Sequence, residues 1–134
     1  MPVKEQEKTR VMIVEDQELQ RSMLEQALNG SGRYEVVSSI DNADMADLYV
    51  ESRAVELALL DVFTAFGADG LEAAERIKKD FPQVKIIITT SSPESAWVNR
   101  AREAGVESFW YKEAEAEAIL SVCDRTMAGE TVYP

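Results

Sequence analysis

The sequence predicts a doubly wound α/β domain: a five-stranded parallel sheet in (βα)5 order, covered by helices on both faces as a three-layer sandwich. Three observations lead there. Five short, β-rich apolar runs punctuate the 134 residues. The segments between them carry apolar residues at helical spacing. The first, third and fourth runs are nearly continuous in apolar residues rather than alternating, as strands covered on both faces require. Strands alternating with helices at this spacing connect by right-handed crossovers, which winds the sheet both ways from its centre.

The strand runs are Val11 to Val14, Tyr34 to Val37, Leu57 to Leu60, Lys85 to Thr89 and Ser108 to Tyr111. The first helix is read from Leu19, Met23, Leu24, Ala27 and Leu28, and the second from Ala43, Ala46 and Val50, each set marking one buried face. Leu71, Ala74, Ile77 and Lys78 mark the third, which Phe81-Pro82 ends. Ala96, Val98, Ala101 and Ala104 mark the fourth, with Ser91, Ser92 and Pro93 at its head and Gly105 as its C-cap. Ala118, Ile119, Val122, Cys123 and Met127 mark the fifth, closed by Gly129; the acidic run Glu113 to Ala118 reads as its negative start. Residues 1–8 are expected to be a disordered lead-in, 9–129 the domain, and 130–134 the start of a linker.

Composition narrows the function. Lys and Arg total 14 against 25 Asp and Glu, a net charge of -11, so nucleic acid and anionic membrane are poor partners, while cations and basic protein surfaces suit it. No histidine is present, which removes the common zinc sites and the usual general base. One cysteine permits no internal disulfide and fits a cytoplasmic setting. No apolar run approaches the ~20 residues that span a bilayer.

In a doubly wound sheet the functional crevice lies outside the carboxyl ends of the strands. Glu15 and Asp16 follow the first strand, Asp61 the third, Thr90 and Ser91 the fourth, and Lys112 the fifth. Three converging carboxylates repel one another unless a cation neutralises them, and Mg2+ is the oxygen-preferring candidate. A divalent ion beside a lysine and a hydroxyl is what phosphoryl transfer needs, with Asp61 at the end of the most apolar strand as the nucleophile. Read singly, Asp16 is as readily a helix N-cap as a ligand, Thr90 could serve local backbone, and Trp97 could be core or interface; Asp69 reads as an N-cap.

Taken together and in order, VMIVED, LLDV, IIITTS and FWYK resemble the receiver domain of bacterial two-component response regulators, over roughly Thr9 to Gly129. The resemblance implies the flavodoxin-like, CheY-like fold, Asp61 as phosphoacceptor, and Mg2+ held by Asp16, Glu15, Asp61 and the backbone carbonyl of Phe63. It implies Thr90 as the hydroxyl that moves toward the phosphoryl group, Lys112 as the ammonium that pairs with it, and Phe109 as an aromatic switch. It further implies a histidine kinase as donor and an output surface on the fourth helix, fifth strand and fifth helix; receivers of this kind often pair as homodimers on activation through helical faces, which leaves the number of copies open here. Glu113, where a proline commonly follows the lysine, and the tail AGETVYP resemble receivers joined to helix-turn-helix effectors, so a DNA-binding effector is expected outside this chain. The stretch VFTAFGAD after Asp61 is one residue longer than usual in the family. A stand-alone regulator or an unphosphorylated pseudo-receiver is the alternative. A phosphohydrolase is disfavoured, because Phe63 stands where its second acid should be.

Overall fold

The computed structural model describes residues 7–92, 94–112 and 115–134. Most of the expected lead-in, together with Pro93, Glu113 and Ala114, lies outside them. The order is β1 (Thr9–Val14), α1 (Glu18–Gly30), β2 (Tyr34–Ile40), a short 3-10 turn and α2 (Ala46–Ser52), β3 (Leu57–Asp61), a second 3-10 turn and α3 (Gly70–Asp80), β4 (Lys85–Thr90), α4 (Ser95–Ala104), β5 (Ser108–Tyr111) and α5 (Ala118–Met127). The strands form one five-stranded parallel sheet in the order β2-β1-β3-β4-β5. This is the expected doubly wound sandwich.

Strand alternation divides the core into two layers. Met12, Val14, Ala58, Leu60, Ile86, Ile88 and Phe109 point to one side, where residues of α2, α3 and α4 bury them. Val11, Ile13, Leu57, Leu59, Ile87 and Trp110 point to the other, against α1 and α5. Continued to the strand ends, the period of two puts Glu15, Asp61 and Lys112 on the α1 side and Thr90 on the α4 side.

The caps of α3 and α4 follow ordinary chemistry. Asp69 is the N-cap of α3, its Oδ1 accepting from Leu71 N at 2.7 Å and Glu72 N at 3.4 Å. Gly105 ends α4 at φ 82°, a conformation that suits a residue without Cβ. Of the acidic run, Glu115 to Glu117 form a turn ahead of α5 with Glu117 at its N-cap position, while the first helical turn itself carries no acid. On α1 the expected buried face is only half buried, since Leu24 and Leu28 are covered while Leu19 is 74% exposed and Met23 39%. These two line an open cleft with Trp110, Lys112 and Ala116. On α4, Ala96 is likewise exposed and Trp97 turns inward in its place, beside Val98 as expected.

Where a linker was expected to start, the tail lies back on the domain. Phe109 N donates to Val132 O at 2.8 Å and Val132 N to Ser108 Oγ at 3.1 Å, a parallel bridge that covers the free edge of β5. The Tyr133 hydroxyl donates to Val106 O at 2.6 Å, its ring lies 6.3 Å from that of Phe109, and the Arg102 guanidinium sits 3.9 Å above it. Burial pushes the Tyr133 phenol up to about 12. Tyr133→Ala removes all three contacts and is expected to cost about 1–3 kcal/mol in urea unfolding, against about 1 kcal/mol for Tyr133→Phe. A cost below about 0.5 kcal/mol for the alanine variant would show the tail to be loosely held.

Candidate phosphoacceptor site

Four of the predicted residues meet at the carboxyl edge of the sheet. Asp61 ends β3 between β1 and β4, in register with Thr89, and is buried. Glu15, just past β1, is 1% exposed; its amide donates to Ile40 O at 3.0 Å, which continues the β1–β2 ladder and aims the side chain across to Asp61. Lys112, just past β5, is placed by its own amide, which donates to Thr90 O at 2.8 Å.

The Lys112 ammonium donates to Asp61 Oδ2 at 2.6 Å, to Glu15 Oε1, and to Gln20 Oε1 at 3.0 Å. Asp16 stands at the exposed rim. The cap position of α1 is Gln17, not Asp16, and makes no side-chain cap bond, so the capping reading of Asp16 falls away. Glu15, Asp16 and Asp61 each bring a carboxylate oxygen within 4.8 Å of the others, a hard-oxygen set that suits Mg2+.

Charge in the pocket is unbalanced. Burial raises the Glu15 pKa, the Lys112 bond lowers it, and the Asp61 charge raises it again, for a net rise. For Lys112, burial works against the ammonium, but the bonds to Asp61 and Glu15 outweigh it and the pKa rises. A carboxyl whose folded pKa is raised binds protons more tightly when folded, so its contribution to stability falls as pH rises from the ordinary glutamate range through the raised one. At neutral pH without divalent ions, Glu15→Gln is therefore expected to raise the melting temperature by roughly 2–5 °C, while weakening Mg2+ binding about tenfold or more. A lowered melting temperature would mean that the bond to Lys112 outweighs burial of the charge.

The remaining predicted residues surround this centre. Phe63 N donates to Asp61 Oδ1 at 3.3 Å. The bridge between Phe63 and Asp69 runs through Thr64 N and Gly70 N, which leaves Phe63 O outside the ladder. The Phe63 ring is exposed and meets Trp97 edge-on, centroids 4.9 Å apart. The lengthened stretch after Asp61 closes as a tight turn with Phe66 at φ 59° and Gly67 at φ 73°, with the Phe66 side chain at its exposed tip. Thr90 is buried, but its hydroxyl accepts from Ser92 N at 3.1 Å rather than facing the carboxylates. Phe109 is buried on the same side of the sheet, between Tyr111 and Tyr133. Sequence reasoning missed Gln20, and Thr89, the buried register partner of Asp61. Strand parity could have pointed to Thr89, whereas only the placement of α1 reveals Gln20.

A doubly wound domain that gathers three carboxylates and one lysine at this edge holds the groups that phosphoryl acceptance needs: a carboxylate nucleophile, a hard-cation set and an ammonium. Residues 11–124 match the family model of the response regulator receiver domain, and the chain belongs to that family. The response regulator protein VraR of Staphylococcus aureus is 33% identical over 124 residues, which cover 92% of this chain and 59% of that protein. The chain thus spans little more than half the length of that relative. Among solved structures, a LuxR-family DNA-binding response regulator from Staphylococcus aureus superposes with a TM-score of 0.81 at 26% identity, covering 87% of this chain and 97% of that one. The non-phosphorylated receiver domain of RcsB from Escherichia coli gives 0.85 at 16% identity, covering 96% and 99%, and speaks to the fold.

Proposed function

We propose that this chain is the phosphorylation-activated switch of a two-component system, with Asp61 as acceptor and a histidine kinase as donor. The observation that carries the reading is the buried Lys112 ammonium bonded to both Asp61 and Glu15, with Asp16 at the rim. A carboxylate oxygen of Asp61 attacks phosphorus. The bond from phosphorus to the donor nitrogen breaks, the imidazole leaves with its electron pair, and Asp61 becomes an acyl phosphate. With acetyl phosphate the leaving group is acetate. Lys112 follows the charge from the Asp61 carboxylate to a phosphoryl oxygen. The carboxylates of Glu15, Asp16 and Asp61 with Phe63 O would hold Mg2+, whose chemistry is to neutralise charge on the transferring oxygens.

Leu19 and Met23 flank the approach, on a cleft of about 420 Å3 that Gln20, Ser91, Trp110 and Lys112 also line. An apolar, open cleft beside the acceptor suits docking of the donor protein. Phosphorylation adds charge beside Lys112; the Thr90 hydroxyl leaves Ser92 for the phosphoryl group, and Phe109 responds beneath it. The output surface is then α4, β5 and α5. Residues 9–129 form the receiver unit, and 130–134 lead toward a DNA-binding helix-turn-helix effector outside this chain. The net charge of -11 keeps the receiver itself off nucleic acid. No helix among the described residues is long and apolar enough to cross a membrane, and a cytoplasmic setting suits a kinase donor.

Intact mass after incubation with acetyl phosphate tests the reading. One adduct of roughly 80 Da is expected in the wild type with Mg2+, and none with chelator or in Asp61→Asn. No adduct in a folded wild type would favour the pseudo-receiver.

A further inference from the structure

We propose that Gln20 is a positioning residue for phosphoryl acceptance, holding the Lys112 ammonium at the acceptor through its side-chain carbonyl; this rests on the reading of Asp61 as acceptor. An ammonium has three donors and no acceptor. Here all three are engaged, by Asp61 Oδ2 at 2.6 Å, by Glu15 Oε1 and by Gln20 Oε1 at 3.0 Å. Two of these partners belong to the strand ends and the third to α1, which lies over them. Lys112 can only donate, so the Gln20 amide presents its oxygen.

The three partners differ in what the reaction does to them. Asp61 is converted to an acyl phosphate, and Glu15 belongs to the cation set. Gln20 alone is neither phosphorylated nor part of the cation set, and it is neutral. A carboxylate there would hold the ammonium more strongly but would add a fourth negative charge beside the incoming phosphoryl group. The amide fixes the lysine without that repulsion. Its own position is fixed at the start of α1, where Gln17 N donates to Glu15 Oε2 at 3.1 Å and Arg21 Nη1 to Glu15 O at 2.8 Å. The end of β1 thus clamps the helix turn that carries Gln20. Gln20 and Lys112 also line the same open cleft.

Gln20→Met keeps the length of the side chain and removes the acceptor. Binding of beryllofluoride, an acyl-phosphate mimic, is measured by calorimetry at saturating Mg2+, alongside Mg2+ binding alone and the melting temperature. The expected result is beryllofluoride affinity weakened roughly tenfold, with the Mg2+ dissociation constant and melting temperature close to wild type. Equal beryllofluoride affinity in the two proteins overturns the role of Gln20 while leaving the acceptor reading intact. Loss of Mg2+ and beryllofluoride affinity in parallel overturns it too, since a merely structural residue would loosen the whole pocket. A wild type that binds no beryllofluoride defeats the acceptor reading and this inference with it.

Discussion

Lys112→Met is expected to slow phosphorylation of Asp61 by about 10²- to 10³-fold at saturating Mg2+, the scale of losing one charge-stabilising donor in a dry site. The cause is local. Lys112 is the cation bonded to both Asp61 and Glu15, and its side chain is only 12% exposed. Without it, nothing follows the negative charge from the carboxylate onto the phosphoryl oxygens. Removing one partner of a buried ion pair also strands the others, so the metal-free variant should lose about 2–4 kcal/mol of stability. Mg2+ at the three carboxylates should recover much of that loss by mass action, though not the rate. Single-turnover phosphorylation from acetyl phosphate, with urea unfolding in the presence and absence of Mg2+, separates the two effects. A rate within about threefold of wild type would place Lys112 outside the transfer step.

Gly70→Ala should be the substitution among the six glycines that meets the closest backbone contact, and a damaging one. A Cβ at Gly70 would stand 1.8 Å from Asp61 O and 2.8 Å from Asp61 C, so the backbone of α3 and the end of β3 cannot both stay in place. Gly70 N also donates to Val62 O at 2.9 Å, which ties the start of α3 to the strand that carries the acceptor. A shift large enough to admit one methyl group breaks that bond and moves Asp61. The expected cost is about 4 kcal/mol or more in urea unfolding, with phosphorylation reduced in whatever protein folds. A loss under about 1 kcal/mol would mean that the α3 start slides freely over the strand end.

The fold was legible because each level agreed with the next. Continuous apolar strands, helical periods and closing glycines all indicate one doubly wound sheet. Glu15, Asp16, Asp61 and Lys112 were legible for the same reason, since topology sends the strand ends to one edge. What escaped depends on neighbours rather than on pattern. The period of α1 identifies an apolar stripe but not how far the sheet extends beneath it, so Leu19 and Met23 read as core although they border the cleft. Thr90 could be placed by its strand, but the acceptance of a bond from Ser92 N belongs to the loop that follows. Gly70 reads as a residue opening a helix, whereas its crowding against Asp61 O exists only once β3 and α3 are packed. Val132 and Tyr133 follow a closing glycine and read as linker, because pairing with the free edge of β5 leaves no periodic trace in so short a segment.

The central claim is that Asp61 carries the phosphoryl group as an acyl phosphate. Borohydride reduction of the protein treated with acetyl phosphate and Mg2+, followed by peptide mapping, tests it at the level of the residue, since an aspartyl phosphate is reduced to homoserine. Conversion at position 61 alone, absent when Mg2+ is chelated, is the predicted result. Conversion at Glu15, Asp16 or Asp69, or a borohydride-resistant phosphate on Thr90 or Ser91, would contradict it.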